Sequence, residues 1–290
     1  MPLRVISHAA LPLLELSGLA VRRRRREREL LCVGDREHAL LAVPLRADGV
    51  LGRERRHDLG WLPGASGASG FESVACDGGG RVLLLQEGPS RVLVLSARMS
   101  RLEATVELTV ERDQPDFGRE WAAHDNARGE SLLPMARGHL LVAKRKEPMC
   151  LVEFGPPGDA ALGVGPGTLL APGDRLALPG RRGGTIRYGV LGWWTLSDRD
   201  ADRVESANDL ALDGEGRLLL ISSHSRRIAR LATPLDPASH DAGVDDGWKL
   251  PDLPGRKPRP EALCVEHDAV LVGLDSRDPG DNLVALEPLA

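Results

Sequence analysis

Apolar residues along this chain fall into runs of four to seven, rich in Val and Leu and separated by Gly, Asp and Pro, which is the spacing of strands rather than helices. One phrase returns five times: SGLAV at 17–21, ESVAC at 72–76, ESLLP at 130–134, NDLAL at 208–212 and EALCV at 261–265. Each copy opens on an oxygen-bearing side chain and then turns apolar. A second run follows each copy (30–35, 81–87, 139–144, 217–224 and 269–275), and then a third (39–45, 91–95, 149–154, 227–231 and 282–286). Turns such as DGGGR at 77–81 and DGEGR at 213–217 join the first run to the second, with glycine supplying the positive φ of a tight hairpin.

Self-similarity at a period near 58 residues points to stacked or radially arranged units. Fourth runs precede the next copy at 53–59, 104–110, 185–196 and 248–253, while the last unit ends after its third, so LRVI at 3–6 is expected to complete it. Four-stranded units in a ring predict an all-β, five-bladed β-propeller closed by the N-terminal strand. The rival count is six, with a degenerate blade inside 155–207. Residues 1–290 then form one domain, and the Gly/Pro-rich stretch at about 155–184 is an insertion on one face.

Composition narrows the partners. Aromatics make up 3% of the chain, too few for an extended base-stacking surface, and a formal net charge of −4 argues against nucleic acid or an anionic membrane as partner. No run has the apolar length of a membrane span and residues 1–20 lack a signal-peptide pattern, so a cytoplasmic location is expected. Cys32, Cys76, Cys150 and Cys264 fall singly in apolar runs and are expected as buried thiols. The run RRRRRERE at 22–29 is expected to be a solvated hairpin tip.

In a propeller the first strands line the central channel, so equal register becomes proximity at the axis. Ser17, Glu72, Glu130, Asn208 and Glu261 share that register. Three carboxylates, an amide oxygen and a hydroxyl brought together resist ionisation unless a hard cation joins them, and an all-oxygen set suits Ca²⁺. The second strands end on the same face. Their ends carry Arg36, Glu87, Lys144, Arg145, Arg226 and Arg277, candidates for holding an anionic substrate, and Asp35, His224 and Asp275, candidates for moving protons.

The repeat skeleton, ELSGLAV with LLCVGD and the later GES, AND and PEA phrases, resembles that of the calcium-activated nucleotidases (apyrases). That resemblance implies a five-bladed propeller with one axial calcium ringed by Ser17, Glu72, Glu130, Asn208 and Glu261. GHLLVAKRKEP and DNLVALEP also resemble bacterial propellers described as SdiA-regulated or esterase-like phytase proteins. ANDLALDGEGRL is similar to the senescence-marker/gluconolactonase propellers, which use a channel metal for lactone hydrolysis. Walker, HExxH, GxSxG and GxGxxG motifs are absent. The expectation is a Ca²⁺-dependent hydrolase of a small anionic ester, phosphoanhydride or lactone. The alternative is a non-catalytic scaffold with a structural channel metal and a protein partner.

Overall fold

Each predicted run of the repeat becomes a strand. The computed structural model describes residues 2–24, 27–46, 51–110, 121, 129–146, 148–180, 183–196, 200, 204–255, 257–266, 269–276 and 280–289. Strands β2 (Leu16–Arg24), β3 (Glu27–Gly34), β4 (Ala39–Pro44) and β5 (Arg55–Asp58) form one antiparallel sheet. β6 (Phe71–Cys76), β7 (Val82–Gln86), β8 (Arg91–Leu95) and β9 (Leu102–Thr109) form the next unit. It is joined edge to edge with β10 (Ser131–Pro134), β11 (Leu140–Lys144), β12 (Cys150–Gly155) and β13 (Gly184–Leu196). That join is a parallel pairing of β9 with β13 over Ala104 to Thr109, and it makes one larger sheet of the two units.

β14 (Asp209–Leu212), β15 (Leu218–Ser222), β16 (Arg227–Leu231) and β18 (Val244–Lys249) follow as a four-stranded sheet, while the short β17 (Asp241–Ala242) pairs with the end of β13. The last sheet holds β19 (Arg259–Glu266), β20 (Ala269–Asp275) and β21 (Leu283–Leu286), with β1 (Val5–Ala9) as its fourth strand. β1 pairs antiparallel with β21, His8 facing Val284. The N-terminal segment is therefore tied into the far end of the chain, as the repeat requires. Buried Asn282 clasps it further: its Oδ1 accepts from Leu11 N–H at 2.8 Å and its Nδ2 donates to the carbonyls of Leu11 and Leu13.

The first strands β2, β6, β10, β14 and β19 pack against one another in a closed cycle, β19 returning to β2. Apolar cores fill the spaces between successive units. Val33 and Leu40 meet Phe71 and Leu84 in one, and Leu16 and Leu41 meet Ala262 and Leu283 in the space that closes the cycle. No ladder joins one first strand to the next in the strand pairings, so polar side chains bridge them. Ser17 Oγ donates to the Phe71 carbonyl, Ser73 Oγ accepts from Leu132 N–H, Ser131 Oγ donates to Asp209 Oδ1, and Asp209 Oδ2 accepts from Leu263 N–H. Gly18 is required at its place, because a Cβ there would stand 2.8 Å from Ser73 Cα of the neighbouring strand.

Three expectations move. The fourth strand of the fourth unit is Val244–Lys249 rather than 248–253, because Pro251 within the later stretch and Pro254 just after it cannot donate to a ladder. The closing strand is Val5–Ala9 rather than 3–6, since Leu3 turns inward against Ile228 and Leu250 and donates its N–H to the Lys249 carbonyl. The arginine-rich hairpin is not simply a solvated tip: Arg22 and Glu29 are buried as an ion pair at 2.6 Å, and Glu266 takes Arg23 and Arg28. None of the four cysteines is in a disulfide; Cys32, Cys150 and Cys264 are buried and Cys76 is partly so.

The 155–184 stretch docks on the scaffold. Its Leu162 and Gly163 amides donate to buried Glu153, which also holds His139 Nδ1 at 2.6 Å, and its Leu176 enters the core beside Leu83 and Tyr188.

Asp209 is the hub of the interstrand bridging, fully enclosed and accepting from Ser131, Leu210 and Leu263. Asp209→Ala leaves the Leu263 N–H and the Ser131 hydroxyl without this buried acceptor, while Leu210 N–H keeps Ser131 Oγ, and is expected to destabilise the protein by roughly 2 kcal/mol. Urea unfolding measures this. An unchanged midpoint would mean that the bridges are incidental.

Candidate functional site at the channel mouth

Three of the five register residues sit on β-bulges. The β2–β3 ladder slips between Leu16 and Gly18, the β6–β7 ladder between Phe71 and Ser73, and the β19–β20 ladder between Pro260 and Ala262. The extra residues are Ser17, Glu72 and Glu261. A bulge removes one residue from the in-out alternation and re-aims its side chain, so the same device recurs at the same register of three units. Glu130 and Asn208 stand one residue before β10 and β14 and still donate their N–H to the partner strands, to Ala143 and Ile221.

The carboxyls at these strand ends act on one another's charge. Burial is the largest cause raising the Glu72 carboxyl well above its usual range, followed by Glu87, Asp35 and Glu261, with Arg145 opposing. Burial likewise dominates at Glu130, with Glu72, Glu87 and Glu261 adding to the rise. Glu261 is pushed up to about 7 by burial first; Arg259 opposes and Asp275 adds. Asp35 is pushed up to about 7 by burial, then by a hydrogen bond to the Glu15 carboxyl and that group's charge. The starts of the first strands and the ends of the second strands thus form one mouth.

Cations are built into it. Arg145 Nη1 donates to Glu130 Oε2 at 3.2 Å, and its charge is felt by Glu72 and Glu261. Arg36 Nε donates to Glu15 Oε2 at 2.6 Å and lies 3.8 Å from Asp35. Arg259 spans Glu261 at 2.9 Å and Asp275 at 3.0 Å. Glu130 Oε1 is buried with no hydrogen-bond partner among the described residues. Asn208 presents its amide oxygen to Ser206 Oγ and to Ser223 N–H, and its Nδ2 is buried without an acceptor among the described residues.

The predicted site residues therefore divide. Glu72, Glu130, Glu261, Asp35, Glu87, Asp275, Arg36 and Arg145 come together at the mouth. Ser17 sits at its bulge with its hydroxyl hydrogen directed to Phe71. Lys144 is fully buried, and its ammonium donates to the carbonyls of Lys146 and Pro148 in its own hairpin, which is why it does not line the rim. His224 is exposed on the β15–β16 turn and Arg226 donates to the Pro251 carbonyl; neither is among the charges acting on the carboxylates. Arg277 lies outside the described residues.

Glu15, Arg259 and Asp209 were not expected in the site or its support. Glu15 and Arg259 each stand two residues before the repeat register, where the fourth unit carries Ser206, so aligning the repeat two positions further upstream would have exposed them.

For a metal the fit is partial. Among the described residues no three His, Cys, Asp or Glu side chains meet at ligand spacing. Glu72, Glu130 and Glu261 are near enough to repel and to share a counter-charge, which suits a hydrated cation, whereas the amide oxygen of Asn208 is already engaged.

No protein-family model matches the chain, and no curated protein matches it. Among solved structures, the glutaminyl cyclase of Myxococcus xanthus covers 100% of this chain and 100% of its own, at a TM-score of 0.51 and 13% identity. A virginiamycin B lyase from Staphylococcus aureus (TM-score 0.46, 8% identity, 98% of this chain and 99% of its own) and a luciferin-regenerating enzyme (0.44, 10%, 95% and 78%) are similar more loosely. The chain has an all-β, propeller-like fold, and at these identities the likeness extends to the fold alone.

The raised carboxyls carry a pH signature. Between about pH 4 and pH 8 the folded state keeps protons that the unfolded chain has released, so stability falls as pH rises through that window. Calorimetry should find a lower melting temperature at about pH 8 than at about pH 5, with the slope reduced in Glu72→Gln and Glu130→Gln. A slope equal to wild type in both variants would separate the pH dependence from this mouth.

Proposed function

We propose that this chain is a five-bladed propeller working as a hydrolase of a small anionic ester, phosphoanhydride or lactone, with its reaction centre at the carboxylate-lined mouth. The observation carrying the proposal is that Arg145 pairs with buried Glu130 at 3.2 Å while the charges of Glu72, Glu87 and Glu261, drawn with it from three different units, act on the same pair. The five-blade count is supported by the closed cycle of β2, β6, β10, β14 and β19.

Arg145 and Arg36 would hold the anionic group of the substrate, since a guanidinium fork matches a phosphate or carboxylate edge. Asp35, poised at about 7 beside Glu15, would accept a proton from water or return one to the leaving group, because a group titrating near the working pH does either. Glu72, Glu130 and Glu261 would hold Ca²⁺ through water, which suits oxygen donors that stand apart. When bound, that ion would neutralise the carboxylates and polarise the substrate.

One feature favours the scaffold alternative: Arg145 and Arg259 already supply internal counter-charge to Glu130 and Glu261. Purified protein, chelated and then titrated with Ca²⁺, separates the two. Hydrolysis across a panel of nucleotides, phosphoesters and lactones should appear only with Ca²⁺ and should fall at least tenfold in Glu130→Gln, while Glu27→Gln in the arginine-rich hairpin stays unchanged. Calcium-dependent thermal stabilisation without turnover on any compound would replace the enzyme with the scaffold. Neither stabilisation nor turnover would end the metal proposal.

A further inference from the structure

Away from the mouth, the far end of β6 adjoins a cluster of arginines. β6 runs from Glu72 at the mouth to the Asp77–Arg81 turn, and beside that turn lies a cleft of about 460 Å³ lined by Arg24, Arg81, Arg98, Arg101, Arg175 and Glu103. Five guanidiniums converge there on a chain whose formal net charge is −4.

Two of them are committed. Arg81 Nε donates to Asp77 Oδ2 at 2.7 Å and its Nη2 to the Leu176 carbonyl, which holds it at the floor. Arg101 pairs with Glu103 at 2.8 Å. Among the described residues Arg24, at the end of β2, reaches the Ala97 carbonyl at 3.5 Å and no carboxylate, and Arg98 and Arg175 have no ion-pair or hydrogen-bond partner. Among the described residues the acid in the lining, Glu103, pairs with Arg101, and no ion pair joins Arg24, Arg98 or Arg175 to a carboxylate.

The backbone that presents them is fixed. Asp174 O accepts from Gly78 N–H at 2.6 Å and Leu176 N–H donates to Asp77 at 3.2 Å, so both neighbours of Arg175 are tied to the β6–β7 turn. The turn and the inserted loop approach so closely that a Cβ on Gly78 would lie 1.9 Å from the Gly173 carbonyl carbon. The arginine-rich hairpin contributes Arg24, and its buried Arg22 bonds the Ala97 carbonyl at 3.1 Å, which anchors the hairpin to the same edge of the cleft.

From this we propose a second binding site, for a small oligophosphate, at the end of the propeller-like body opposite the carboxylate mouth. Arginine forks take phosphate oxygens two at a time, and several such forks around one concavity favour a ligand with two or more phosphate groups over a single anion. The volume is that of a small-molecule cleft, and its concave shape favours a compact soluble ligand over the extended surface that a duplex or a bilayer presents. The site does not depend on the hydrolase proposal.

Calorimetric titration at low salt with inorganic tripolyphosphate tests it. Wild type should bind, Arg98→Glu with Arg175→Glu should weaken binding at least tenfold, and the lysine pair at the same positions should fall between, because charge remains but the fork is lost. Arg4→Glu, an exposed change on the closing strand's side, should bind as wild type does. Circular dichroism checks that the exposed substitutions leave the fold intact. Parallel arms use vesicles containing phosphoinositide and a short DNA duplex. Absence of tripolyphosphate binding, binding unaffected by the double glutamate variant, or binding to vesicles or duplex alone would each overturn the proposal.

Discussion

The first strands of the repeat pack side by side around a common centre without a backbone ladder between them, and this constraint governs much else in the molecule. A strand edge that cannot pair with its neighbour must have its polar groups satisfied in another way. Here Ser17, Ser73, Ser131 and Asp209 supply the missing bonds, each reaching across to the next unit. Small residues are needed at the closest approaches, and Gly18 occupies one. The apolar faces of the sheets pack unit against unit, β19 against β2 included, and β1 ties the two ends of the chain together by pairing with β21.

The same constraint concentrates charge. Strands that converge on a centre bring their starts together, and bulges at Ser17, Glu72 and Glu261 turn a residue out of the strand alternation at that point. The chain places glutamates at two of these bulges and a third, Glu130, just before β10. Burial and mutual repulsion then raise their proton affinity, while Arg145, Arg36 and Arg259 offset part of the charge. At the other end of β6, five arginines and Glu103 line a cleft beside the Asp77–Arg81 turn.

Much of the architecture was legible because the repeat encodes it. The apolar runs mark the strands to within a few residues, and the shared register marks Glu72, Glu130 and Glu261 as neighbours although they are far apart in sequence. Other features depend on side-chain direction, which periodicity does not carry. Lys144 reads as a rim residue, yet its hairpin carbonyls claim it. His224 reads as a candidate base, yet it faces outward. Glu15 and Arg259 escape notice because they act from two residues upstream of the repeated phrase. The buried Arg22–Glu29 pair escaped for a different reason: a run of mixed charge resembles a solvated loop until a neighbouring unit covers it.

The most direct measurement of the central claim is the titration of individual glutamate carboxyls by carbon-detected NMR in wild type and in single Gln variants. Mutual proximity of Glu72, Glu130 and Glu261 predicts carboxyls that titrate well above the ordinary glutamate value of about 4.3. It also predicts that replacing any one of the three lowers the pKa of the other two. Ordinary values at all three positions, or values that ignore the substitutions, would contradict the convergence of these side chains at one mouth.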